Sequence, residues 1–423
     1  MFDVIVVGAR PAGAATALLL ARAGVRVLLV DRARFPSDTL STHQIQPQGV
    51  ALLRRWGLLE PLLAAGAPLV RAARFDPGRV RLEGTYPGPD GVLSPRRTVL
   101  DALLVAAART AGAEVWEGFT VGGLLHADGR VYGVEGAPRG GGAAVAVTAA
   151  FVVGADGKHS TVAEAVRARA YRTRPATSGA FYAYVDGLDL RCGEIHARPD
   201  RLGSAWPTND GLSVAFLSVP RARFAEVRER GRPAGLTAGS AAGLAAGSAA
   251  GFASGFAGLG DLGERIAAGR LAEHVRATVD LPNTFRVPYG PGWALAGDAG
   301  LVMDPITGQG IANALRDASA LAAALVGGLG GSGPLSAALA LYHRGRDRER
   351  RAMYRLTTGL AAFGPDRVGR LLYPAIADDP AEVTRFLGVL GGVVPAGPYF
   401  GPANLLRLAL RSPRKARASP VGR

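Results

Sequence analysis

The sequence predicts an α/β protein that combines a parallel sheet flanked by helices, an inserted antiparallel β-sheet and a helical C-terminal region. The first 31 residues alternate an apolar strand, a small-residue helix and a second apolar strand, which is the βαβ pattern of a parallel sheet. Short alternating runs between Val70 and Val92, and a β-rich stretch from Phe181 to Val219, indicate strands of a second sheet. From Pro334 onward the patterns are mainly helical.

The opening βαβ unit has the arrangement of a dinucleotide-binding site. An apolar strand over residues 4–7 leads into a turn from Gly8 to Gly13, a helix predicted for residues 14–23, and a strand over residues 25–30 that ends at Asp31. In such units the first glycine permits a sharp turn, the last lets helix and strand pack closely, and the helix N-terminus attracts a pyrophosphate. An acidic residue roughly 20 positions further on binds a ribose, and Asp31 fits that place.

Arg10 stands where the middle glycine of this turn is expected, at the closest approach of the backbone to the phosphates. We predict that its side chain points away from the pyrophosphate or pairs with it. An ordinary βαβ unit with a glycine-containing turn is the alternative explanation of this stretch taken alone.

The charge balance does not indicate a nucleic-acid-binding protein. The net charge is +15, but lysine occurs only at Lys158 and Lys415, and the many arginines are scattered, as expected from the codon usage of a GC-rich genome. The exception is a C-terminal basic cluster formed by Arg407, Arg411, Arg414, Lys415, Arg417 and Arg423. We therefore expect no nucleic acid among the partners.

Cysteine usage and hydropathy favour a cytoplasmic protein. Cys192 is the only cysteine, which excludes an internal disulfide and a cysteine-based zinc site, and no metal site is predicted. The apolar N-terminus lacks the basic residues of a signal peptide and is broken by Gly8 and Pro11. Since no window of about 20 residues is apolar and free of turn signals, neither a spanning helix nor membrane contact is expected.

Two further predicted strands end in an acidic residue beside a glycine. These are Asp156-Gly157 and Gly297-Asp298, and the second pair is followed by Pro305. Gly308-Gln309-Gly310 then opens a helix that runs to about residue 325. Taken singly, each acid is equally typical of a helix N-cap or a surface turn.

These motifs, in this order, resemble the FAD-dependent monooxygenases of the para-hydroxybenzoate hydroxylase type, a superfamily shared with geranylgeranyl reductases and flavin-dependent halogenases. The resemblance covers most of residues 1 to about 325 and is closest to bacterial FAD-dependent oxidoreductases, with matching stretches at Ser41-Thr42-His43-Gln44 and Gly292-Trp293-Ala294-Leu295. It implies a Rossmann-like FAD-binding domain of the three-layer GR2 type with an inserted antiparallel β-sheet substrate domain.

We expect the FAD-binding domain to be discontinuous. It would comprise residues 1–70, 97–170 and 286–330, with a substrate domain over residues 71–96 and 171–285 and a helical C-terminal region over residues 331–423. Residues 235–260 of the substrate domain form a low-complexity Gly/Ala/Ser tract. We expect this insertion to be mobile, because such a composition hardly specifies a packed core.

The family's contacts with the adenosine and phosphate groups carry over to particular residues. Gly8 and Gly13 would flank the pyrophosphate, and Asp31 would hold the adenosine ribose. Arg97, which begins an Arg-x-x-Leu-x-x-x-Leu pattern, would face the ribityl-phosphate side of the flavin. A solvated arginine at a helix start is the alternative for Arg97.

The second and third motifs are implicated in the remaining contacts. Asp156 would contact both FAD and the nicotinamide cofactor, Asp298 would bind the ribitol chain, and the helix N-terminus at Gly308 to Gly310 would point its dipole at the flavin N1/O2 edge. The full set of implied cofactor-binding residues is Gly8, Arg10, Ala12, Gly13, Asp31, Arg32, Arg97, Asp156, Gly157, Gly297, Asp298, Pro305, Gly308, Gln309 and Gly310.

The resemblance implies a monooxygenase of secondary metabolism that uses FAD, NADH or NADPH and dioxygen. It would hydroxylate or epoxidise an apolar or aromatic small molecule through a flavin C4a-(hydro)peroxide. A geranylgeranyl reductase-like enzyme that saturates prenyl double bonds and a non-catalytic flavin-binding protein are the alternatives. A halogenase is disfavoured because the sequence has no Trp-x-Trp-x-Ile-Pro motif. No second GxGxxG turn is present, so the nicotinamide donor would bind transiently over the flavin or a partner flavin reductase would deliver electrons.

Catalytic side chains are few in this family. His43, in a polar loop over residues 32–48, is the candidate general base or substrate hydrogen-bonding group, with a structural role as the alternative. Met303, beside Asp304 and close to where the flavin ring should lie, would limit the access of water. We interpret the aromatic residues of the β-rich stretch as the floor of a substrate pocket, with core packing as the alternative. These residues are Phe181, Tyr182, Tyr184, Trp206 and Phe216.

Overall fold

The structure is a computed structural model and describes residues 1–230 and 245–411. The strands are β1 (Phe2–Val7), β2 (Val27–Asp31), β3 (Leu69–Val70), β4 (Ala72–Asp76), β5 (Leu82–Thr85), β6 (Val92–Leu93), β7 (Glu114–Glu117), β8 (Phe119–Ala127), β9 (Arg130–Pro138), β10 (Val145–Gly154), β11 (Ala170–Arg174), β12 (Ser178–Asp186), β13 (Gly193–Arg198), β14 (Arg201–Pro207), β15 (Ser213–Pro220), β16 (Ala245–Gly247), β17 (Arg270–Leu271), β18 (Val275–Thr278), β19 (Asn283–Arg286), β20 (Tyr289–Gly290), β21 (Trp293–Leu295) and β22 (Leu301–Val302). The α-helices are α1 (Pro11–Arg22), α2 (Pro47–Arg55), α3 (Leu59–Ala64), α4 (Arg97–Thr110), α5 (Thr161–Ala165), α6 (Phe224–Glu229), α7 (Ala249–Gly255), α8 (Asp261–Ala268), α9 (Gly310–Leu329), α10 (Leu335–Ala361), α11 (Arg367–Ile376), α12 (Pro380–Leu390), α13 (Ala396–Tyr399) and α14 (Pro402–Arg411).

The first sheet has the strand order β20-β21-β10-β1-β2-β7. Its central strands pair in parallel, with Val4 of β1 opposite Phe151 of β10 on one side and Val27 of β2 on the other. The β8–β9 hairpin extends β10 in antiparallel fashion. Parallel strands of one sheet end at the same edge, so the glycine-bearing turns after β1, β10 and β21 meet there.

The first sheet is buried on both faces, which gives a three-layer arrangement. Val4 and Val6 of β1 pack on the face covered by helices α1, α4 and α9, whereas Ile5 and Val7 pack on the face covered by the β8–β9 hairpin and α5. A strand buried on both sides requires an uninterrupted apolar run, and residues 4–7 supply it. The predicted fold class is confirmed here, while the exact domain limits stay a prediction.

The second sheet has nine strands in the order β16-β18-β12-β15-β14-β13-β4-β5, with β17 paired to β12. It is antiparallel except where β4 pairs in parallel with β13. Strand β12 turns Tyr182 and Tyr184 toward the C-terminal helices and Phe181 to the opposite face. Phe181 stacks on Phe224 with 4.8 Å between ring centroids. The expected pocket floor is therefore wrong for Phe181, because alternate residues of a strand point to opposite faces.

The prediction that the low-complexity tract is mobile is wrong for the part of the tract that the structure describes. Helix α7 buries Phe252, and the following Phe256 is fully buried against Leu217 and Leu262 in the same apolar cluster. The prediction of mobility rests on the average composition of the tract. Two phenylalanines four positions apart give α7 and its C-terminus an apolar stripe that packs on the second sheet. Residues 235–244 of the tract lie outside the described residues.

We expect Phe256→Ala to destabilise the protein by about 3–5 kcal/mol, because it leaves a cavity at a fully buried site. Urea unfolding followed by circular dichroism measures this loss. Leu341→Ala on α10 is the control, since Leu341 is 64% exposed. Equal unfolding midpoints for the two variants would show that the tract is not part of the core.

Two helix boundaries differ from the sequence prediction in an instructive way. Helices α1 and α2 begin at Pro11 and Pro47, earlier than predicted. Proline is favoured in the first turn because its fixed φ suits the helix and its missing N–H has no partner there anyway. The long loop after β2 is accordingly shorter than the predicted range 32–48.

Candidate active site

The turn after β1 provides a cradle that only glycine fits. Gly8 has φ +97°, and a Cβ there would lie 2.5 Å from the carbonyl oxygen of Ala155. A Cβ on Gly13 would lie 1.7 Å from the carbonyl oxygen of Gly8. Helix α1 starts here without a side-chain cap and without an acidic residue in its first turn. Its first N–H groups therefore suit a pyrophosphate, in agreement with the predicted role of this turn.

Asp31 at the end of β2 holds the turn in shape. Its two carboxylate oxygens accept hydrogen bonds from the backbone N–H groups of Ala9, at 2.6 Å, and Ala33, at 2.7 Å. The neighbouring Arg32 is exposed. The position matches the ribose-binding acid of the motif, and the contacts show that this carboxylate also orders the backbone around it.

Arg10 and Arg97 converge on Asp101, a residue that the sequence interpretation missed. Arg97 makes two hydrogen bonds to the Asp101 carboxylate, at 3.0 and 2.9 Å, and Arg10 makes one at 2.5 Å. Asp101 is fully buried. The Arg10 side chain also donates to the hydroxyl of Ser37 at 3.1 Å, so it pairs with residues outside the turn. The i,i+4 spacing of Arg97 and Asp101 on a helix was the available signal.

We expect Asp101→Asn to lower the free energy of unfolding by about 3–5 kcal/mol, because Arg97 would be left buried without its counter-charge. Chemical denaturation of the FAD-free protein measures the effect. Asp128→Asn, on the exposed hairpin turn, serves as the control. If both variants unfold like the wild type, the ion pair of Arg97 with Asp101 does not contribute to the free energy of unfolding.

The second motif packs directly on the first. The Cβ position of Gly8 faces Ala155 and Asp156. Asp156 accepts hydrogen bonds from the Ser160 hydroxyl and, at 3.2 Å, from the N–H of Val162. Desolvation raises the pKa of the Asp156 carboxyl. Gly157 has φ +84° and turns the chain toward the short helix α5, whose N-cap is Ser160.

The third motif meets the other side of the same turn. A Cβ on Gly297 would lie 2.8 Å from the Cβ of Ala12, so the strand end at β21 touches the start of α1. Asp298 is exposed to solvent, yet desolvation by the surrounding protein raises its pKa to about 6. The structure thus brings the three motifs together.

The N-terminus of α9 opens onto the same region. Gly308 has φ +61° and lies against Gln44, and Gln46 donates to the carbonyl groups of Thr307 and Gly308 at 3.4 Å. Gln309 donates to the carbonyl of Leu390 at 2.8 Å. A Cβ on Gly310 would meet no atom within 4 Å, and α9 has no side-chain cap. The end of this long helix is therefore free for an anionic or electron-rich group.

Pro305 follows Asp304, a buried residue whose hydrogen bonds fix this loop. Asp304 caps the turn by accepting from the N–H of Ile306 at 3.0 Å, and it also accepts from the hydroxyl of Ser178. Its own N–H donates to Asn283 at 2.8 Å. Desolvation raises the pKa of Asp304. These contacts fix the loop against strands of both the second sheet and the small β11-β19-β22 sheet.

His43 lies in a closed aromatic cluster beside the loop. It is fully buried with φ +64°, and its Nε2 lies 2.7 Å from the hydroxyl of Tyr184. The rings of Tyr182 and Tyr184 meet it edge to face at 5.1 and 5.3 Å, and Arg96 lies 4.6 Å above the Tyr184 ring. In the part of the chain that the structure describes, Nδ1 of His43 has no hydrogen-bond partner.

The electrostatics of this cluster keep the imidazole neutral. Desolvation, followed by the positive charge of Arg97, lowers the pKa of His43 to about 3. Burial also raises the pKa of Tyr184, which keeps its proton. His43 and Tyr184 are 141 positions apart, so no local sequence pattern could have paired them.

The profile of the FAD binding domain family matches residues 1–229. The chain belongs to this family. The glycine cradle, the uncapped starts of α1 and α9 and the acids at three strand ends fit the cofactor that the family name states, and FAD is the cofactor of this protein.

Curated relatives include both oxygenases and reductases. Kynurenine 3-monooxygenase of Salinispora arenicola is 29% identical over 91% of this chain and 85% of that protein. Menaquinone reductase of Mycolicibacterium smegmatis is 28% identical over 73% of this chain and 72% of its own length. 6-Methylpretetramide 4-monooxygenase of Streptomyces rimosus is 39% identical, but the match covers 38% of this chain and only 39% of that relative.

Solved structures show the same fold over nearly the whole chain. The flavin-dependent brominase Bmp2 superposes with a TM-score of 0.79 at 17% identity, covering 97% of this chain and 98% of the brominase. At this identity the likeness concerns the fold alone. Within the described residues, no helix is long and apolar enough to cross a membrane.

Proposed function

We propose that the protein is an FAD-dependent monooxygenase that uses NADH or NADPH and dioxygen to hydroxylate or epoxidise an apolar or aromatic small molecule. The observation that carries this proposal is the aromatic cluster of His43, Tyr182 and Tyr184, held beside the start of α9 by the loop that contacts Gly308. The nearly full-length similarity to a kynurenine 3-monooxygenase supports it.

When bound and reduced, FAD supplies the activation of dioxygen. The protein's share is to bind the cofactor, exclude water and orient the substrate. For binding we assign Gly8, Gly13 and the first turn of α1 to the pyrophosphate, Asp31 to the ribose and Asp298 to the ribitol. The other residues of the predicted set, including Arg32, Asp156, Gly157 and Pro305, stay predicted cofactor contacts.

His43 is proposed as a substrate hydrogen-bonding group rather than a general base. A base whose conjugate acid has a pKa of about 3 has little driving force to take a proton at neutral pH. A neutral imidazole that accepts from the Tyr184 hydroxyl at Nε2 carries its proton on Nδ1. That N–H has no hydrogen-bond partner among the described residues and is fully buried, so it would donate to an oxygen atom of the substrate only when the cluster opens.

The decisive experiment is turnover of candidate aromatic substrates by FAD-loaded protein under isotopically labelled dioxygen. Incorporation of one labelled oxygen atom into product, coupled to nicotinamide oxidation, is the expected result. If NADH and NADPH both fail to reduce the flavin but an added flavin reductase restores turnover, a partner delivers the electrons. Turnover without dioxygen in which the product gains two hydrogens would instead establish a double-bond reductase.

The reductase is the second candidate because menaquinone reductase and a digeranylgeranylglycerophospholipid reductase of Methanothrix thermoacetophila align with about three quarters of the chain. Retention of FAD with neither reaction would favour a non-catalytic flavoprotein. The cytoplasmic location stays a prediction from the single cysteine.

A further inference from the structure

An open pocket of about 880 Å³ lies away from the cluster around the phosphate turn, between strand β11 and helix α10. Of the residues that the structure describes, four arginines and no acidic residue border it, namely Arg172, Arg174, Arg351 and Arg355. We call it the arginine pocket. Among the described residues, none of these four side chains forms an ion pair, whereas Arg74, Arg198, Arg223 and Arg265 each pair with a carboxylate.

Two structural features shape the pocket, whose four arginine side chains are exposed. Arg351 and Arg355 are four positions apart and share one face of α10 with Thr358, so like charges sit side by side. Strand β11 has a register shift between Tyr171 and Arg174, and Arg172 adopts φ +52°. Such a bulge redirects side chains, and it lets three successive residues, 172 to 174, border the same cavity.

The hydroxyl groups that border the pocket are already hydrogen-bonded. Those of Thr177, Thr358 and Tyr354 donate to the carbonyl groups of Ala361, Tyr354 and Arg172, and that of Thr173 pairs with the hydroxyl of Thr284. Among the described residues, the guanidinium N–H groups are the donors of the pocket without a hydrogen-bond partner, and Arg172 lies over the rings of Tyr171 and Phe285. The complement of these donors is a ligand that offers several negatively charged oxygen atoms and no competing cation.

We propose that the arginine pocket binds a phosphorylated small molecule. Its volume is in the range of pockets for organic ligands, about 300–1,000 Å³, and far exceeds what inorganic phosphate needs. Because arginine replaces lysine almost throughout this chain, the proposal depends on the convergence and lack of counter-ions and not on the choice of arginine itself. The ligand is either the nicotinamide donor, through its phosphates, or a separate phosphorylated metabolite.

The pocket stands directly behind the loop at the start of α9. Thr357, next to Thr358, exchanges a hydrogen bond of 2.7 Å with Thr307, and Ser178, next to Thr177, donates to Asp304. An occupant of the pocket would therefore lie one layer of side chains from the segment proposed to contact the flavin. This site does not depend on which reaction the protein catalyses.

The test uses FAD-loaded protein and compares an Arg351→Gln/Arg355→Gln double variant with Arg344→Gln/Arg348→Gln. The control arginines are exposed on the same helix and do not border the pocket. Calorimetric titration with pyrophosphate and with adenosine 2′,5′-bisphosphate, at constant ionic strength, is the measurement. Binding to wild type and control that weakens by about ten-fold or more in the pocket variant is expected. No binding to the wild type, or equal binding to both variants, would overturn the proposal.

The source of the phosphate follows from kinetics on the same variants. A raised KM for NADPH, for NADH or for both in the pocket variant, but not in the control, identifies the nicotinamide donor. Loss of the probe's binding with both KM values unchanged identifies a separate phosphorylated ligand. Because binding of the probes is measured without turnover, a failure of the monooxygenase proposal leaves this test intact.

Discussion

A Gly13→Val variant is expected to be purified almost without FAD, with affinity for the cofactor reduced by about a hundred-fold or more, or roughly 3 kcal/mol. Any Cβ at this position would sit 1.7 Å from the Gly8 carbonyl oxygen and 3.1 Å from the Cβ of Ala155. Helix α1 must then move away from the turn, and its first N–H groups no longer point at the pyrophosphate. The ratio of flavin to protein absorbance and a titration of the apoprotein with FAD measure the effect.

Gly327→Val on α9 is the matched control, since a Cβ there meets no atom within 4 Å. Circular dichroism of both variants distinguishes loss of the cofactor from loss of the fold, and Gly13→Ala provides a milder step if the valine variant unfolds. A folded Gly13→Val protein with full FAD content would contradict the assignment of the phosphate turn.

The part of the site that the sequence predicted best is local. Gly8, Gly13 and Asp31 sit in one βαβ unit whose geometry follows from the order of strand, turn and helix. The meeting of this turn with the two other glycine-acid pairs could also be expected, because strands of a parallel sheet end at one edge. The contacts of Gly8 with Asp156 and of Gly297 with Ala12 show this juxtaposition in atomic detail.

The parts that it missed are long-range or depend on single side chains. The pairing of Arg10 with Asp101 crosses 91 positions, and that of His43 with Tyr184 crosses 141. In the Gly/Ala/Ser tract the prediction from composition was wrong for a local reason. Averages over the tract hide Phe252 and Phe256, although two large side chains at helical spacing are enough to fasten a short helix to a sheet.

The acid sensitivity of the fold is expected to depend on His43. Its pKa is about 3 in the folded protein and near the ordinary 6.5 when unfolded. Below pH 6.5 His43 is protonated in the unfolded chain but stays neutral in the folded protein. The contribution of His43 to the free energy of unfolding is therefore fully present above pH 6.5 and is lost progressively as the pH falls toward 3. The slope approaches about 1.4 kcal/mol per pH unit from this one group.

We expect His43→Gln to lose this contribution, so that its unfolding free energy falls less steeply between pH 6.5 and the acid limit than that of the wild type. Urea unfolding at a series of pH values gives both slopes, and their difference cancels the carboxyl groups that titrate in both proteins. His126→Gln, on the exposed hairpin, should keep the wild-type slope. If His43→Gln also keeps it, the imidazole is not held neutral by burial, and the Nδ1–H donor proposed for the substrate loses its physical basis.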